Sequence, residues 1–408
     1  MEQKISEWYS AFQLPLPLSN HSQETRDLPA PSADELQISI HSTGLCGSDL
    51  HYYAHNRNGD IIVREPLTLG HESSGIVTSV GSSVSSSSFA PGDRVALEVG
   101  VPCDDCARCA AGRYNICAQM RFRSSAKSFP HFQGTLQERI NHPAKWCHKL
   151  PADMPMELGA LLEPLGVALH AFRRSGMVEG QKVLVFGAGA VGLLCAAVAK
   201  IKGAREVVIA DIDAGRVEFA VKKRFADTAY TVPMKRGKDV DEGLAIAKDV
   251  AAEVGKLTDS EGNAVGEVDV CFECTGVQAC VQAGIYVRIK PYLRLSKSWP
   301  RTDLHKATTP GGRVMLVGMG NPIQTLALSA AALREVDLVG VFRYANTYRE
   351  GIQMISRQAP EDPDFMALVT HRVNGLENAV KAFEMAGKTK DEHGNLVLKV
   401  VIETGEAQ

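Results

Sequence analysis

The sequence predicts an α/β protein with two domains, one rich in β-strands and one doubly wound around a parallel sheet. Three observations lead to this fold class. The chain has 408 residues, which is more than one hydrophobic core usually serves. Its first third is rich in short β-like runs and turns. Beyond about residue 165, apolar strand-like runs alternate with helical stretches, a pattern typical of a parallel sheet with helices on both faces.

Composition and charge narrow the class of protein. Hydrophobic residues make up 45% of the chain and charged residues 22%, with a formal net charge of −3. A net charge this small produces no strong electrostatic field that would attract nucleic acid or a membrane surface. No stretch approaches the roughly 18 apolar residues that a membrane span needs. The amino terminus lacks the basic start and apolar run of a secretory signal. We therefore expect a cytoplasmic protein.

The domain boundaries follow from where the pattern changes. Residues 35–44, 72–81 and 93–100 are short alternating runs separated by turn residues, which predicts a β-rich domain. A mixed pattern resumes after about residue 340. We expect the first domain to span residues 1–165 and 341–408, and the second to span residues 166–340.

The second domain carries a glycine motif. Gly187, Gly189 and Gly192 fit GxGxxG after an apolar strand-like run and before a helical one, and Asp211 ends the next such run. The glycines let the backbone approach a pyrophosphate at a helix amino terminus. A carboxylate at Asp211 accepts from ribose hydroxyls and repels the extra phosphate of NADP, so NAD is favoured. The alternative is a glycine turn that only packs helix against strand.

Four cysteines cluster within fifteen residues: Cys103, Cys106, Cys109 and Cys117. Four thiolates on one short loop can surround a tetrahedral Zn²⁺ and leave no open position, which indicates a structural site. An iron–sulfur cluster and pairwise disulfides are the alternatives. A reducing compartment counts against disulfides.

A second metal site is suggested by three separated segments. They contribute Cys46 with Ser48, His71 with Glu72, and Glu163. A thiolate, an imidazole and a carboxylate could bind Zn²⁺ and leave a position open for water or substrate. Taken singly, each residue also has an ordinary structural interpretation: a small buried thiol, a turn histidine or a surface charge.

Taken together, these motifs resemble a known family. GxCGSDLH, GHE, the four-cysteine segment, EPLGVALHA and GxGxxG occur in the order seen in zinc-containing medium-chain dehydrogenases. The chain is most similar to the polyol branch, which includes sorbitol, xylitol and L-arabinitol dehydrogenases, and its four cysteines are typical of fungal members. The resemblance implies a GroES-like catalytic domain, a Rossmann NAD-binding domain, one catalytic and one structural zinc, and a homotetramer.

The resemblance also implies residue roles. Cys46, His71 and the glutamate at Glu72 or Glu163 correspond to catalytic zinc positions, with Glu72 the expected direct ligand and Ser48 in the proton path. Substrate-site roles are implied for Tyr52, Phe122, Arg343 and Tyr344, of which the last two form the most diagnostic pair. Cofactor positions, besides the glycine motif, are Val191, Asp211, Arg216, Val317, Gly318, Met319, Val341, Phe342 and Arg343.

Ile61 departs from the branch pattern, which has Phe in typical sorbitol enzymes and Met in many arabinitol enzymes. Sorbitol and xylitol are the expected polyols, and L-arabinitol 4-dehydrogenase is the alternative. A rival from another class is a catalytically impaired copy that binds zinc and nucleotide. The proposed chemistry is zinc-assisted loss of the hydroxyl proton, followed by hydride transfer to the nicotinamide.

Residues 287–306 do not fit the family pattern. The segment carries six basic residues and one acidic residue. Without it, the predicted helix before it would run directly into the turn after it, which is close to the family pattern. Val287 and Lys306 are compatible with splice boundaries, because every Val codon begins GT and one Lys codon ends AG. We interpret the segment as an intron translated in frame, with a genuine basic surface loop as the alternative. Sequencing spliced transcript across the junction distinguishes the two.

Overall fold

A seven-stranded sheet and a six-stranded parallel sheet organise the chain in the computed structural model, which describes residues 2–9, 20–286 and 308–404. The expected α/β class with a doubly wound sheet is confirmed. Residues 287–306, interpreted as an insertion, lie outside the described residues. Within the described part of the chain, no helix combines the length and apolar character that a membrane span requires.

The chain folds into two compact units. The first comprises residues 1–166, 343–358 and 365–408, and the second comprises residues 167–342 and 359–364. The short segment 359–364 belongs to the second unit, which the sequence pattern does not indicate.

The first unit begins with β-strands separated by short helices, and this part of the chain ends with a long helix. Its elements are β1 (Glu2–Tyr9), β2 (Asn20–Asp27), β3 (Glu35–Gly44), α1 (Gly47–His55), β4 (Arg57–Asn58), β5 (Ile61–Ile62), β6 (Glu72–Val80), β7 (Arg94–Leu97), β8 (Gly100–Val101), α2 (Ala107–Ala110), β9 (Arg121–Phe122), β10 (Arg139–Pro143), β11 (Cys147–Lys149) and α3 (Met156–Ser175), within which the unit boundary falls.

The second unit alternates strands and helices. Its elements are β12 (Lys182–Phe186), α4 (Ala190–Ile201), β13 (Glu206–Asp211), α5 (Ala214–Lys222), β14 (Thr228–Thr231), α6 (Val240–Lys256), β15 (Val268–Glu273), α7 (Gln278–Tyr286), β16 (Thr308–Leu316), α8 (Leu328–Ala332) and β17 (Asp337–Gly340). The first unit then resumes with α9 (Tyr348–Ser356), β18 (Val369–Asn374), α10 (Ala379–Ala386) and β19 (Lys399–Glu403).

Strand order explains where each unit places its functional residues. In the first unit the order is β11-β7-β6-β3-β19-β18, with β10 also paired to β3. β3 lies between β6 and β19, so the ends of three segments distant in sequence meet there. In the second unit the order is β14-β13-β12-β15-β16-β17, and every pair is parallel. The order reverses at β12, and such a switch point forms a ligand crevice at the carboxyl ends of the strands.

Burial follows the sheet architecture. Val183–Phe186 of β12 are at most 1% exposed, because helices cover both faces of a doubly wound sheet. On α4, the run from Gly192 to Ala199 is buried throughout. The first unit packs its own core around Leu67, Leu136 and Phe383. Each unit therefore holds its functional loops on a separate hydrophobic core.

Candidate metal centres and cofactor site

Cys46, His71 and Glu72 come together at one end of β3. Their ligand atoms all lie within 4.8 Å of one another. Cys46 stands at the N-cap of α1, just after β3, and Glu72 is the first residue of β6, paired in register with Gly44. Antiparallel pairing of β3 with β6 therefore brings two segments about 25 residues apart to the same point.

A buried carboxylate beneath the cluster fixes the ring of His71. Asp49 Oδ1 lies 3.2 Å from His71 Nδ1 and accepts from Gly70 N at 3.1 Å and Ser124 Oγ at 2.5 Å. Burial raises the pKa of Asp49, but the charge of His71 and these hydrogen bonds outweigh it and bring the pKa below its usual value. With Nδ1 engaged, Nε2 is the ring nitrogen left for a metal.

Glu72 forms an ion pair with a lysine that sequence reasoning missed. Lys399 Nζ donates to both carboxylate oxygens at 2.8 and 2.7 Å and to Leu45 O at 3.0 Å. Burial lowers the pKa of Lys399, but the charges of Glu72 and Cys46 outweigh it, so the pKa is raised. A Cβ on Gly44 would overlap Glu72 Oε2, so a side chain at this position would displace the carboxylate from Lys399.

Glu163 lies outside the three-residue cluster but acts on it electrostatically. Its side chain, from α3, is buried. Burial raises the pKa of Glu163 to about 7, and the charge of Glu72 adds to the rise, whereas His71 opposes it. The structure thus groups Glu72, rather than Glu163, with Cys46 and His71.

The donor set suits zinc. A thiolate, an imidazole nitrogen and a carboxylate oxygen provide three ligands, which is the number typical of a catalytic zinc that keeps a fourth position open. Ser48 Oγ lies 3.4 Å from His71 Nε2, the nitrogen that faces the cluster. A hydroxyl therefore stands beside the position that the metal would occupy.

Two of the expected substrate residues stack beside the cluster. The Arg343 guanidinium lies 3.8 Å above the centre of the Phe122 ring, and that ring lies 5.6 Å from the ring of His71. Arg343 adopts a left-handed backbone conformation with φ 51°. Burial lowers the pKa of Arg343 to about 10, opposed by Tyr344, Glu163 and Tyr52. The arginine remains charged at neutral pH.

Tyr52 and Tyr344 are both buried, at 5% and 3% exposure. Tyr52 Oη accepts a hydrogen bond from Ala126 N at 3.3 Å. Burial raises the pKa of Tyr52, and the charge of Arg343 opposes this rise. The ring of Tyr344 packs against Gly166, where a Cβ would lie 3.2 Å from Cγ, and lies 5.7 Å from the ring of Tyr348. Arg343 is thus the half-buried member of the expected pair, whereas Tyr344 is buried.

The four cysteines form a second cluster in the first unit. The sulfurs of Cys103, Cys106, Cys109 and Cys117 all lie within 4.8 Å of one another. Three of their separations are 3.5, 3.5 and 3.9 Å. With a Zn–S bond of about 2.3 Å, the edges of a tetrahedral site are about 3.8 Å, so the sulfurs fit such an ion.

The four-cysteine segment is tied to the chain just after Arg343. Tyr114 Oη donates to Glu98 Oε1 at 2.5 Å and accepts from Asn346 N at 2.6 Å. Asn346 Nδ2 donates to Gly112 O at 2.8 Å. The loop that carries the cysteines therefore also holds the turn that presents Arg343.

The glycine motif opens α4 as expected. Gly187 has φ 97°, and a Cβ on Gly192 would overlap the carbonyl oxygen of Gly187. The carboxylate of Asp211, at the end of β13, accepts from Ala188 N at 2.6 Å and from Asp213 N at 2.9 Å. Strand end, glycine turn and carboxylate therefore meet at the switch point of the sheet.

The other expected cofactor residues lie at the same edge of the second unit, with one exception. A Cβ on Gly189 would lie 3.9 Å from Nη1 of Arg216, and Val191 is half-buried on α4. The half-buried Val317 and Gly318 and the exposed Met319 follow β16, and Val341 and the exposed Phe342 follow β17. The exception is Arg343, which belongs to the first unit.

Comparisons with known proteins agree with this geometry. Residues 32–152 match the family model described as an alcohol dehydrogenase GroES-like domain. The chain is 39% identical to a sorbitol dehydrogenase of Gallus gallus and 40% identical to one of Homo sapiens, each over 361 residues that cover 88% of this chain and 88% of the relative. Among solved structures, the L-idonate 5-dehydrogenase of Escherichia coli shares the fold, with a TM-score of 0.77, 24% identity and coverage of 99% of both chains.

Proposed function

We propose that this chain, which belongs to the zinc-dependent medium-chain dehydrogenase family, oxidises a polyol such as sorbitol or xylitol to the ketose with NAD as hydride acceptor. The observation that carries the proposal is the placement of the stacked Phe122–Arg343 pair beside the cluster of Cys46, His71 and Glu72. A metal cluster alone would serve any alcohol, whereas a half-buried guanidinium beside it can donate to further hydroxyls.

Cys46, His71 and Glu72 would hold the catalytic zinc. When bound, zinc supplies Lewis acidity to the substrate hydroxyl, and NAD accepts the hydride. Asp49 orients His71 so that Nε2 points to the cluster. Lys399 offsets the charge of Glu72. With zinc bound, Cys46 would contribute a thiolate, His71 a neutral ring and Glu72 a carboxylate.

Proton transfer is assigned to Ser48. Its hydroxyl stands 3.4 Å from His71 Nε2 and is half-buried, so it can accept a proton from a hydroxyl bound at the cluster and pass it towards solvent. Glu163 contributes through its charge: it faces the cluster from α3, without taking part in the three-residue group.

Recognition of the polyol is assigned to Arg343, with Phe122 and Tyr52 as its supports. The guanidinium is held on the Phe122 ring, so its N–H groups are preorganised for hydroxyls next to the reacting carbon. A polyol offers this guanidinium neighbouring hydroxyls as acceptors, which a monohydric alcohol lacks, so the polyol should bind with higher affinity.

Dinucleotide binding is assigned to the switch point of the second unit. Gly187 and Gly192 allow the tight turn at the start of α4, and Gly189 leaves space there for a pyrophosphate. Asp211 favours NAD over NADP, because its carboxylate accepts from the ribose hydroxyls and repels a phosphate. The four-cysteine cluster would hold a second, structural zinc. We further propose a cytoplasmic homo-oligomer that resembles fungal polyol enzymes.

A substrate panel tests the proposal. Purified protein of measured zinc content is assayed for reduction of NAD, and of NADP, with sorbitol, xylitol, L-arabinitol and ethanol. We expect at least one polyol to be oxidised with a kcat/KM about 100-fold above that for ethanol, and NAD to be preferred over NADP. Preference for ethanol would contradict the role of Arg343. No turnover with full zinc content would favour the catalytically impaired copy.

A further inference from the structure

Glu273, the last residue of β15, is a buried carboxylate that accepts hydrogen bonds from the loop that follows it. It is 1% exposed. Its side chain accepts from Thr275 N at 2.8 Å, from Thr275 Oγ1, and from Gly276 N at 3.0 and 3.1 Å. Within the described residues, no lysine or arginine forms an ion pair with it. Burying a carboxylate is costly unless it is hydrogen-bonded, and the donors of Thr275 and Gly276 supply those hydrogen bonds here.

The same residue also fixes a second loop. The backbone carbonyl of Glu273 accepts from Val317 N at 2.9 Å and Gly318 N at 2.8 Å. Its side chain thus shapes the turn after β15, and its main chain shapes the turn after β16. Burial raises the pKa of Glu273 above its usual value, and the hydrogen bonds from Thr275 and Gly276 offset this rise only in part.

The two loops touch backbone to backbone. A Cβ on Gly318 would overlap Gly276 N, and one on Gly320 would overlap Gly276 O. Gly276 itself has φ 71°, a left-handed conformation that favours glycine. A small displacement of the Thr275–Gly276 turn would therefore move the turn at Val317–Gly320 as well.

These loops lie on one side of the switch point. The glycine motif after β12 and Asp211 after β13 serve one mononucleotide half, whereas β15 and β16 stand on the opposite side of β12. In a doubly wound sheet the two halves of a dinucleotide lie on the two sides of this crevice. With the adenosine assigned to the side of Asp211, the loops held by Glu273 face the nicotinamide half.

We propose that Glu273 is a positioning residue that sets the binding surface for the nicotinamide half of the dinucleotide. The inference rests on the proposed NAD-dependent function and adds a residue to it. Glu273 does not touch the reacting atoms; it acts through Thr275, Gly276 and the Val317–Gly318 turn.

The test compares the affinities of NADH and AMP in a matched pair of variants. Glu273→Ala removes the side-chain bonds and Glu273→Gln keeps one acceptor oxygen. The control is Glu206→Ala. Glu206 is also a buried carboxylate, and it accepts hydrogen bonds from Thr228 Oγ1, Ser260 N and Ser260 Oγ. It is the first residue of β13, so it lies at the amino-terminal end of the parallel strands, whereas Glu273 lies at the carboxyl end. Dissociation constants are measured by NADH fluorescence and by calorimetry with AMP, well below each melting temperature.

We expect Glu273→Ala to weaken NADH binding about tenfold or more, with AMP binding changed less than about twofold and Glu273→Gln intermediate. Glu206→Ala should lower the melting temperature without changing either affinity. Equal weakening of NADH and AMP, or unchanged NADH binding in Glu273→Ala, would overturn the inference. If the unaltered protein binds AMP but not NADH, the proposed cofactor itself fails, which is a different result.

Discussion

Lys399 Nζ lies 2.7 and 2.8 Å from the two carboxylate oxygens of Glu72, and both side chains are at most 5% exposed. This ion pair joins β19 to β6 within the first unit, directly behind the proposed catalytic zinc position. A buried pair of this kind gives little net stability over an apolar core, but loss of one partner leaves an unpaired charge and is strongly destabilising.

We therefore expect Lys399→Met to lower the free energy of unfolding of the zinc-free protein by about 3 kcal/mol. Urea denaturation measures the change. Lys149→Met is the matched control. Lys149 forms an ion pair with Asp93 at 2.8 Å, and its side chain is 48% exposed. An ion pair at the surface contributes about 1 kcal/mol or less to the free energy of unfolding. Equal effects of the two substitutions would contradict the importance of the buried pair.

The four-cysteine cluster should account for one zinc ion per chain. Cys109→Ser removes one of the four sulfurs, so the variant should lose that ion and melt at a lower temperature. Metal analysis and calorimetry provide the two measurements. Cys280→Ser changes a cysteine outside both clusters and should keep the full zinc content. Unchanged zinc content in Cys109→Ser would refute the site.

Asp211 should set the choice of cofactor. Asp211→Ser removes the charge that repels a 2′-phosphate and the acceptors for the ribose hydroxyls. We expect kcat/KM with NAD to fall about tenfold or more and kcat/KM with NADP to rise. The ratio of the two values, measured with one polyol, checks this prediction. A ratio that stays constant would show that another residue selects the cofactor.

Arg343 should discriminate a polyol from a simple alcohol. Arg343→Ala should raise KM for the polyol about tenfold or more, because donors to neighbouring hydroxyls are lost, and should leave the kinetics of a monohydric secondary alcohol nearly unchanged. Arg121→Ala is the control, because the Arg121 guanidinium also lies above an aromatic ring, 4.6 Å from the centre of Phe132, but Arg121 is exposed. Equal losses with both alcohols would assign Arg343 a general structural role.

Sequence patterns predicted the parts of this protein that are local. The glycine motif, Asp211 and the four cysteines each occupy a short stretch with its own spacing, and the structure places each set together. The cluster of Cys46, His71 and Glu72 needed the family resemblance, because three separate segments contribute and each residue has an ordinary interpretation alone.

Lys399 and Glu273 show what could not be predicted. Lys399 stands in the strand LVLKVVIE, where a lysine suggests a solvent-facing position, and its partner Glu72 is 327 residues away in sequence. Glu273 ends an apolar strand, where a carboxylate suggests exposure at the edge of a sheet. Each is buried because of a tertiary or loop contact that the periodicity of the sequence does not reveal.

The central claim is that Cys46, His71 and Glu72 hold the zinc that activates a polyol for oxidation by NAD. The most direct test is the rate of NADH formation at 340 nm with the best polyol of the panel, compared between the unaltered protein and Cys46→Ala. We predict that Cys46→Ala loses one zinc per chain and nearly all polyol oxidation, while it still binds NADH. A Cys46→Ala variant that kept full polyol oxidation would contradict the account.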